Sequence, residues 1–164
     1  MTVISIVSGG QSGVDRAALD AARAAGVETG GWCPAGRWAE DGPIDPAYLL
    51  RETAEADPSV RTRLNIRDSD ATLILAPGGR VDGIPDGTAL TAEQAPRLGR
   101  PFLTLDPSPE NVDDALAWLA AHGVRVLNVG GPRESSVPGI YGRAHAFMVA
   151  LLARAARSVP DGSP

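Results

Sequence analysis

The sequence predicts an α/β fold of the Rossmann-like kind, an open and mainly parallel sheet with helices on both faces. Three observations predict it. Short apolar, β-branched runs alternate with stretches of helical periodicity along the chain. The run Ala71–Ala76 is apolar throughout, as a strand covered on both faces must be. Gly-rich segments stand between a strand signal and a helix signal three times, at Ser8–Gly13, Pro77–Gly87 and Gly130–Ser136.

The elements follow in order. Val3–Val7 reads as a strand and the Ala-rich stretch Val14–Ala25 as a helix, with Gly26 placed where a helix end needs positive φ. Val27–Trp32 is a second strand, and Cys33–Pro46 is a long Pro/Gly-rich insertion. Tyr48–Ala56 and Val60–Arg67 read as short helices. After Ala71–Ala76, a helix is predicted over Thr88–Leu98 and a strand over Pro101–Leu105. Ser108, Pro109 and Glu110 supply an N-cap, an N1 proline and a first-turn acid for the next helix, which Gly123 ends. Val124–Val129 is the last strand. Ile140, Ala144, Phe147, Met148, Leu151 and Leu152 recur at helical spacing in a final helix over Gly139–Arg157, as a core or subunit-packing face does. Residues 1–157 are expected to form one domain and 158–164 a flexible tail.

Composition narrows the function. All 15 basic residues are Arg, so lysine Schiff-base chemistry and a Walker lysine are absent. The net charge of −5 disfavours nucleic-acid binding. One Cys and two His cannot build a disulfide framework or a structural zinc site. Cys33 reads as a buried thiol, His122 as a cation suited to a helix end, and His145 as an interface or surface residue. No metal-ligand spacing and no Ser–His–Asp set is present. No basic n-region precedes the first apolar run and no stretch is long enough to span a membrane, so the cytoplasm is the expected compartment.

The three Gly-rich segments carry the chemistry, because ligands of parallel sheets bind beyond the carboxyl ends of the strands. In SGGQSGVDR, Gly9, Gly10 and Gly13 let backbone N–H groups approach a ligand, and Gln11 and Ser12 stand among them. Ser12 and Asp15 have capping-box spacing, which places the helix start near Ser12 and its dipole against an anion such as phosphate. Asp15 either caps the helix or contacts a ligand. The dinucleotide fingerprint matches only in part, since Ser8 occupies its first Gly position. Gly87, Thr88 and Thr91 form a second anion-ready helix start. In GGPRESS, Arg133 can clamp an anion or pair with Glu134, and Ser135 and Ser136 can donate hydrogen bonds. The insertion, with Arg37, Trp38, Glu40 and Asp41, reads as a lid.

Taken in order, SGGQSGVDRAALDAA, GGWCPAGRWAEDG, RTRLNIRDSDATLIL, DGTALT and LNVGGPRESSVPGIY resemble the molybdenum-cofactor carrier group of proteins over about Val3 to Leu152. The wider superfamily includes the cytokinin-activating phosphoribohydrolases and the DNA-processing protein DprA. The resemblance implies reversible binding of molybdenum cofactor, a pterin bearing a phosphate and a dithiolene-held molybdenum. It also implies a homo-oligomer, dimer or tetramer, and delivery to molybdenum enzymes. It transfers phosphate or pterin contact onto Gly9, Gly10, Gln11, Ser12, Gly13, Gly87, Thr88 and Thr91, with Arg37, Arg133, Glu134 and Ser135 completing the expected set. No catalytic residue is expected. The phosphoribohydrolases carry a P-G-G-x-G-T-x-x-E motif whose Glu is catalytic; here Thr91 stands at that position, and Glu93 lies about 200° further round the helix. The alternatives are a nucleoside-monophosphate phosphoribohydrolase using another carboxylate, and a nucleotide sensor without turnover.

Overall fold

The computed structural model describes residues 3–158. The expected tail therefore lies outside the described residues except for Ser158. Seven strands and five helices are present among them: β1 (Ser5–Val7), α1 (Val14–Ala24), β2 (Glu28–Gly30), β3 (Trp32–Cys33), β4 (Arg51–Glu52), α2 (Pro58–Arg67), β5 (Ala71–Leu75), α3 (Thr88–Arg97), β6 (Phe102–Leu105), α4 (Val112–Ala121), β7 (Val126–Gly130) and α5 (Ile140–Arg157). The main sheet runs β2-β1-β7-β5-β6 and every pairing is parallel. The last strand thus enters the middle of the sheet, between β1 and β5.

That order positions the site. All five strands point the same way, so the segments following β1, β7 and β5 emerge side by side on one rim. The core lies under them. Alternate residues of β5, Ala71, Leu73 and Leu75, pack with α1, α4 and α5 around Leu127, Ile140, Phe147 and Leu151. The intervening Thr72 and Ile74 are buried as well, and α2 packs against α3. The apolar run of β5 is thereby explained, since it is covered on both sides.

Three expectations are corrected. Tyr48–Ala56 is not a helix. Arg51 and Glu52 pair with β3, with the Arg51 N–H donating to the Gly31 carbonyl (2.9 Å) and the Thr53 N–H to that of Cys33 (2.9 Å). The Arg37 guanidinium also takes the carbonyls of Tyr48 (2.8 Å) and Leu50 (3.3 Å), which a helix would have used internally. Second, α1 begins at Val14 behind an uncapped Gly13, and the Ser12–Asp15 capping box does not form. Third, Ser108 does not cap by its side chain; one 3-10 turn, Pro109–Asn111, leads into α4, and the Ser108 hydroxyl accepts from the Asn111 amide (3.2 Å). The start of α2 lies two residues before the predicted Val60, where Asp57 accepts from the Ser59 N–H (2.9 Å) and Pro58 opens the helix.

Candidate functional site

The rim holds an open cleft, lined from three directions. The β1 loop contributes Gly9, Gln11 and Asp15. The end of β7 contributes Asn128–Gly131 and Arg133. The first turns of α2 and α3 contribute Ser59, Arg61, Asp86, Gly87, Thr88 and Thr91. Six residues of the expected set therefore meet here: Gly9, Gln11, Gly87, Thr88, Thr91 and Arg133.

The start of α3 is built to stay open. Asp86 organises it, accepting from the Thr88 N–H (2.9 Å) and hydroxyl (2.5 Å) through one oxygen and from the Arg133 N–H (3.0 Å) through the other. Burial would raise the carboxyl pKa of Asp86, but these bonds outweigh it and hold the pKa below the ordinary value. Thr91 lies one turn on, its hydroxyl near the Gly87 carbonyl at 3.4 Å. A β-carbon added at Gly87 would meet nothing within 4 Å.

Arg61 and Asp15 form the cleft's charged wall. The Arg61 guanidinium donates to the Gly9 carbonyl (3.1 Å) and lies over Gly9, where a β-carbon would come within 2.3 Å of Nη1. It stands 3.9 Å from the Asp15 carboxylate, whose side chain is only 11% exposed. Burial pushes the Asp15 carboxyl up to about 6, against the pull of Arg61 and with a further push from Asp86. Asp15 lines the cleft, its carboxylate also held by the Gln11 N–H, while the N-cap Gly13 of α1 has no side-chain cap. Neither Arg61 nor Asn128 stands out in the sequence. Arg61 reads there as one arginine of a helix, and Asn128 as a polar residue in a strand; only the packing of α2 beside β1 and the sheet order bring them to the rim.

The other six expected residues are engaged elsewhere. Gly10 packs under the insertion, where a β-carbon would lie 2.5 Å from Leu50. Ser12 donates its hydroxyl to Glu40 and accepts from the Glu134 N–H (3.2 Å). Ser135 donates its hydroxyl to the same Glu40 carboxylate, and these bonds, led by that of Ser12, hold the Glu40 pKa below its usual value. Gly13 lies against the β7 loop: the Val14 N–H donates to the Pro132 carbonyl (3.2 Å), and a β-carbon on Gly13 would sit 2.3 Å from that oxygen. Glu134 does not pair with Arg133; it caps α5, accepting from the N–H groups of Gly139 (2.5 Å) and Tyr141 (2.9 Å). Arg37, at φ 55°, donates to the carbonyls of Ile44, Asp45, Tyr48 and Leu50 and so holds the insertion together.

The insertion is thus anchored at the rim. It has a small core of Cys33, Ala39 and Ile44 with Tyr48 and Leu50 against it, and the Cys33 thiol is buried. Asp41 pairs with Arg16 (2.6 Å). Glu93 turns away from the cleft and pairs with Arg97 (3.0 Å). Among the described residues no group of three or more His, Cys, Asp or Glu is placed to hold a metal, and no helix is long and apolar enough to cross a membrane.

Known proteins share this architecture. The model of the circularly permutated YpsA SLOG family matches residues 6–152. The crystal structure of a protein named putative molybdenum carrier protein, from Syntrophus aciditrophicus SB, is similar at a TM-score of 0.82 and 38% identity, over 92% of this chain and 95% of that one. No curated protein matches the chain. The late entry of β7 into the centre of the sheet, the three loops on one rim and the match over 6–152 agree, and the chain belongs to the circularly permutated YpsA SLOG family.

Proposed function

We propose that the cleft holds the phosphate of a small phosphate-bearing ligand and that the protein carries molybdenum cofactor to molybdenum enzymes without transforming it. The observation behind this reading is the meeting of an open α3 start, two arginines and two threonines at the edge where β1, β7 and β5 end. Helix N–H groups and guanidinium groups are the donors a phosphate requires. The 38% identity with a protein named as a molybdenum carrier supports the choice of cargo.

In this reading Arg61, Arg133, Thr91 and the backbone at Gly9 and Gly87 receive the phosphate, Thr88 stays bonded to Asp86 beside it, and Gln11 shapes the floor. The cofactor's own dithiolene holds the molybdenum. The Gln11 side-chain oxygen accepts from the N–H groups of Ser12 (3.0 Å) and Glu40 (2.9 Å), which fixes the amide in the floor. Each charge-assisted bond from an arginine contributes about 1.5–3 kcal/mol. Burial raises the Asp15 carboxyl to about 6, so its charge beside the incoming anion, and the repulsion that charge exerts, are lost only as pH falls below that value.

The test is Thr91→Asp. An acid in the first turn suits the α3 dipole, so the fold is expected to persist. The new charge lies in the cleft and is expected to lower affinity for ribose 5-phosphate about tenfold or more, read by calorimetry. Mass spectrometry with elemental analysis of protein from molybdenum-replete cells is expected to find a phosphorylated pterin and molybdenum on the wild type and to lose both on the variant. Equal yields on the two proteins would contradict the reading.

A second reading follows from Asp15, a buried carboxyl at about 6 beside the proposed phosphate site. Such a group suits proton transfer in cleavage of a nucleoside monophosphate. Release of free base from a panel of such nucleotides, abolished by Asp15→Asn, would favour this reading over a carrier.

A further inference from the structure

We propose that Trp38, with Arg133, forms a stacking shelf at the mouth of the cleft for the flat heteroaromatic ring of the ligand; this rests on the phosphate reading above. Trp38 is 47% exposed, an unusual setting for the largest apolar side chain. Its backbone is nevertheless fixed on both sides. Arg37 before it makes four hydrogen bonds to carbonyls of the insertion, and Ala39 after it is buried in the insertion's small core. Glu40 then ties the segment to the β1 loop through Ser12 and to the β7 loop through Ser135. The indole is therefore held out to solvent by a rigid support.

Its neighbour gives the position a meaning. The Arg133 guanidinium carbon lies 5.4 Å from the Trp38 ring centroid, and Arg133 itself lines the cleft. The Arg133 N–H is fixed in turn by Asp86, the residue that organises the α3 start. One connected set of bonds thus links the phosphate donors to an exposed aromatic face. The guanidinium lies over one face of the indole, so the pair leaves the outer side of Arg133 and the other indole face at the rim, suited to stack a planar ring whose phosphate reaches into the cleft. The other two tryptophans are committed: Trp32 donates to Asp68 (2.9 Å) and carries Arg51 on its face, and Trp118 packs on the core.

The experiment compares two probes sharing a phosphorylated ribose, only one of which carries a ring. Guanosine 5′-monophosphate has a flat 2-amino-6-oxopurine ring; ribose 5-phosphate has none. On the wild type the ring is expected to raise affinity, and Trp38→Ala is expected to reduce binding of the nucleotide about tenfold while leaving ribose 5-phosphate unchanged. Trp38→Phe is expected to keep most of the ring's contribution. Equal nucleotide affinity in wild type and Trp38→Ala would overturn the shelf, as would an equal loss for both probes. Binding of ribose 5-phosphate with no gain from the ring overturns the shelf and leaves the phosphate site standing. Binding of neither probe overturns both. Dissociation of an oligomer by Trp38→Ala in sedimentation, with nucleotide binding intact, would assign the indole to a second copy of the chain and overturn the proposal.

Discussion

The starts of α1 and α3 look alike in the sequence and differ in the fold. Each follows a strand, each is approached through glycines, and each carries a hydroxyl residue. At α1 the chain fills its own helix start. The Pro132 carbonyl takes the Val14 N–H, the Gln11 side chain takes the Ser12 N–H, and Glu40 takes the Ser12 hydroxyl. At α3 only Asp86 intervenes, and the space beyond Gly87 is empty of protein. A glycine-rich turn thus serves two physical ends. It lets a neighbouring backbone come close, or it lets a ligand do so, and the residues within the turn do not say which.

The sharpest way to break this contrast is Gly13→Ala. Gly13 has φ 79°, and its missing side chain leaves room for the Pro132 oxygen. The substitution is expected to cost about 3 kcal/mol or more in denaturant unfolding, because strain and overlap add. A small change would mean that the β7 loop does not rest on α1.

Next comes Asp15→Asn. The unfolded Asp15 ionises near 3.8 and the folded one at about 6, so the folded state holds its proton more tightly. Wild-type stability therefore falls between those values as pH rises, by up to about 3 kcal/mol, and is level above them. Asparagine does not titrate, so the variant is expected to gain on the wild type between about pH 4 and pH 6. Parallel pH profiles of the denaturation midpoint would show that the carboxyl is not buried against the cleft.

Arg37→Ala is expected to destabilise by about 2 kcal/mol, because four carbonyls lose a charged donor. It is expected to leave affinity for ribose 5-phosphate unchanged, which sharpens the division between scaffold and site. Gly87→Ala is the smallest change. With φ −73° and open surroundings it is expected to alter stability by no more than about 0.5 kcal/mol.

Much of the fold is legible in the sequence, because β5 and α5 announce themselves by apolar continuity and helical spacing. Tyr48–Ala56 is not, since Arg51–Glu52 pairs with β3 and the carbonyls of Tyr48 and Leu50 are taken by the distant Arg37. The site is legible where local chemistry decides it, as at Gly87, Thr88 and Thr91. It is not legible where tertiary contacts decide it. Glu134 reads as a partner for Arg133 until the start of α5 is seen to need an acceptor. Arg61 reads as surface until α2 is laid beside Gly9.

Backbone amide NMR during titration with ribose 5-phosphate tests the contrast most directly. The amides of Gly9, Gly87 and Ala89 are expected to shift with added ligand while those of Ser12, Gly13 and Val14 stay in place. Shifts at Ser12, Gly13 and Val14 with none at Gly87 and Ala89 would contradict it.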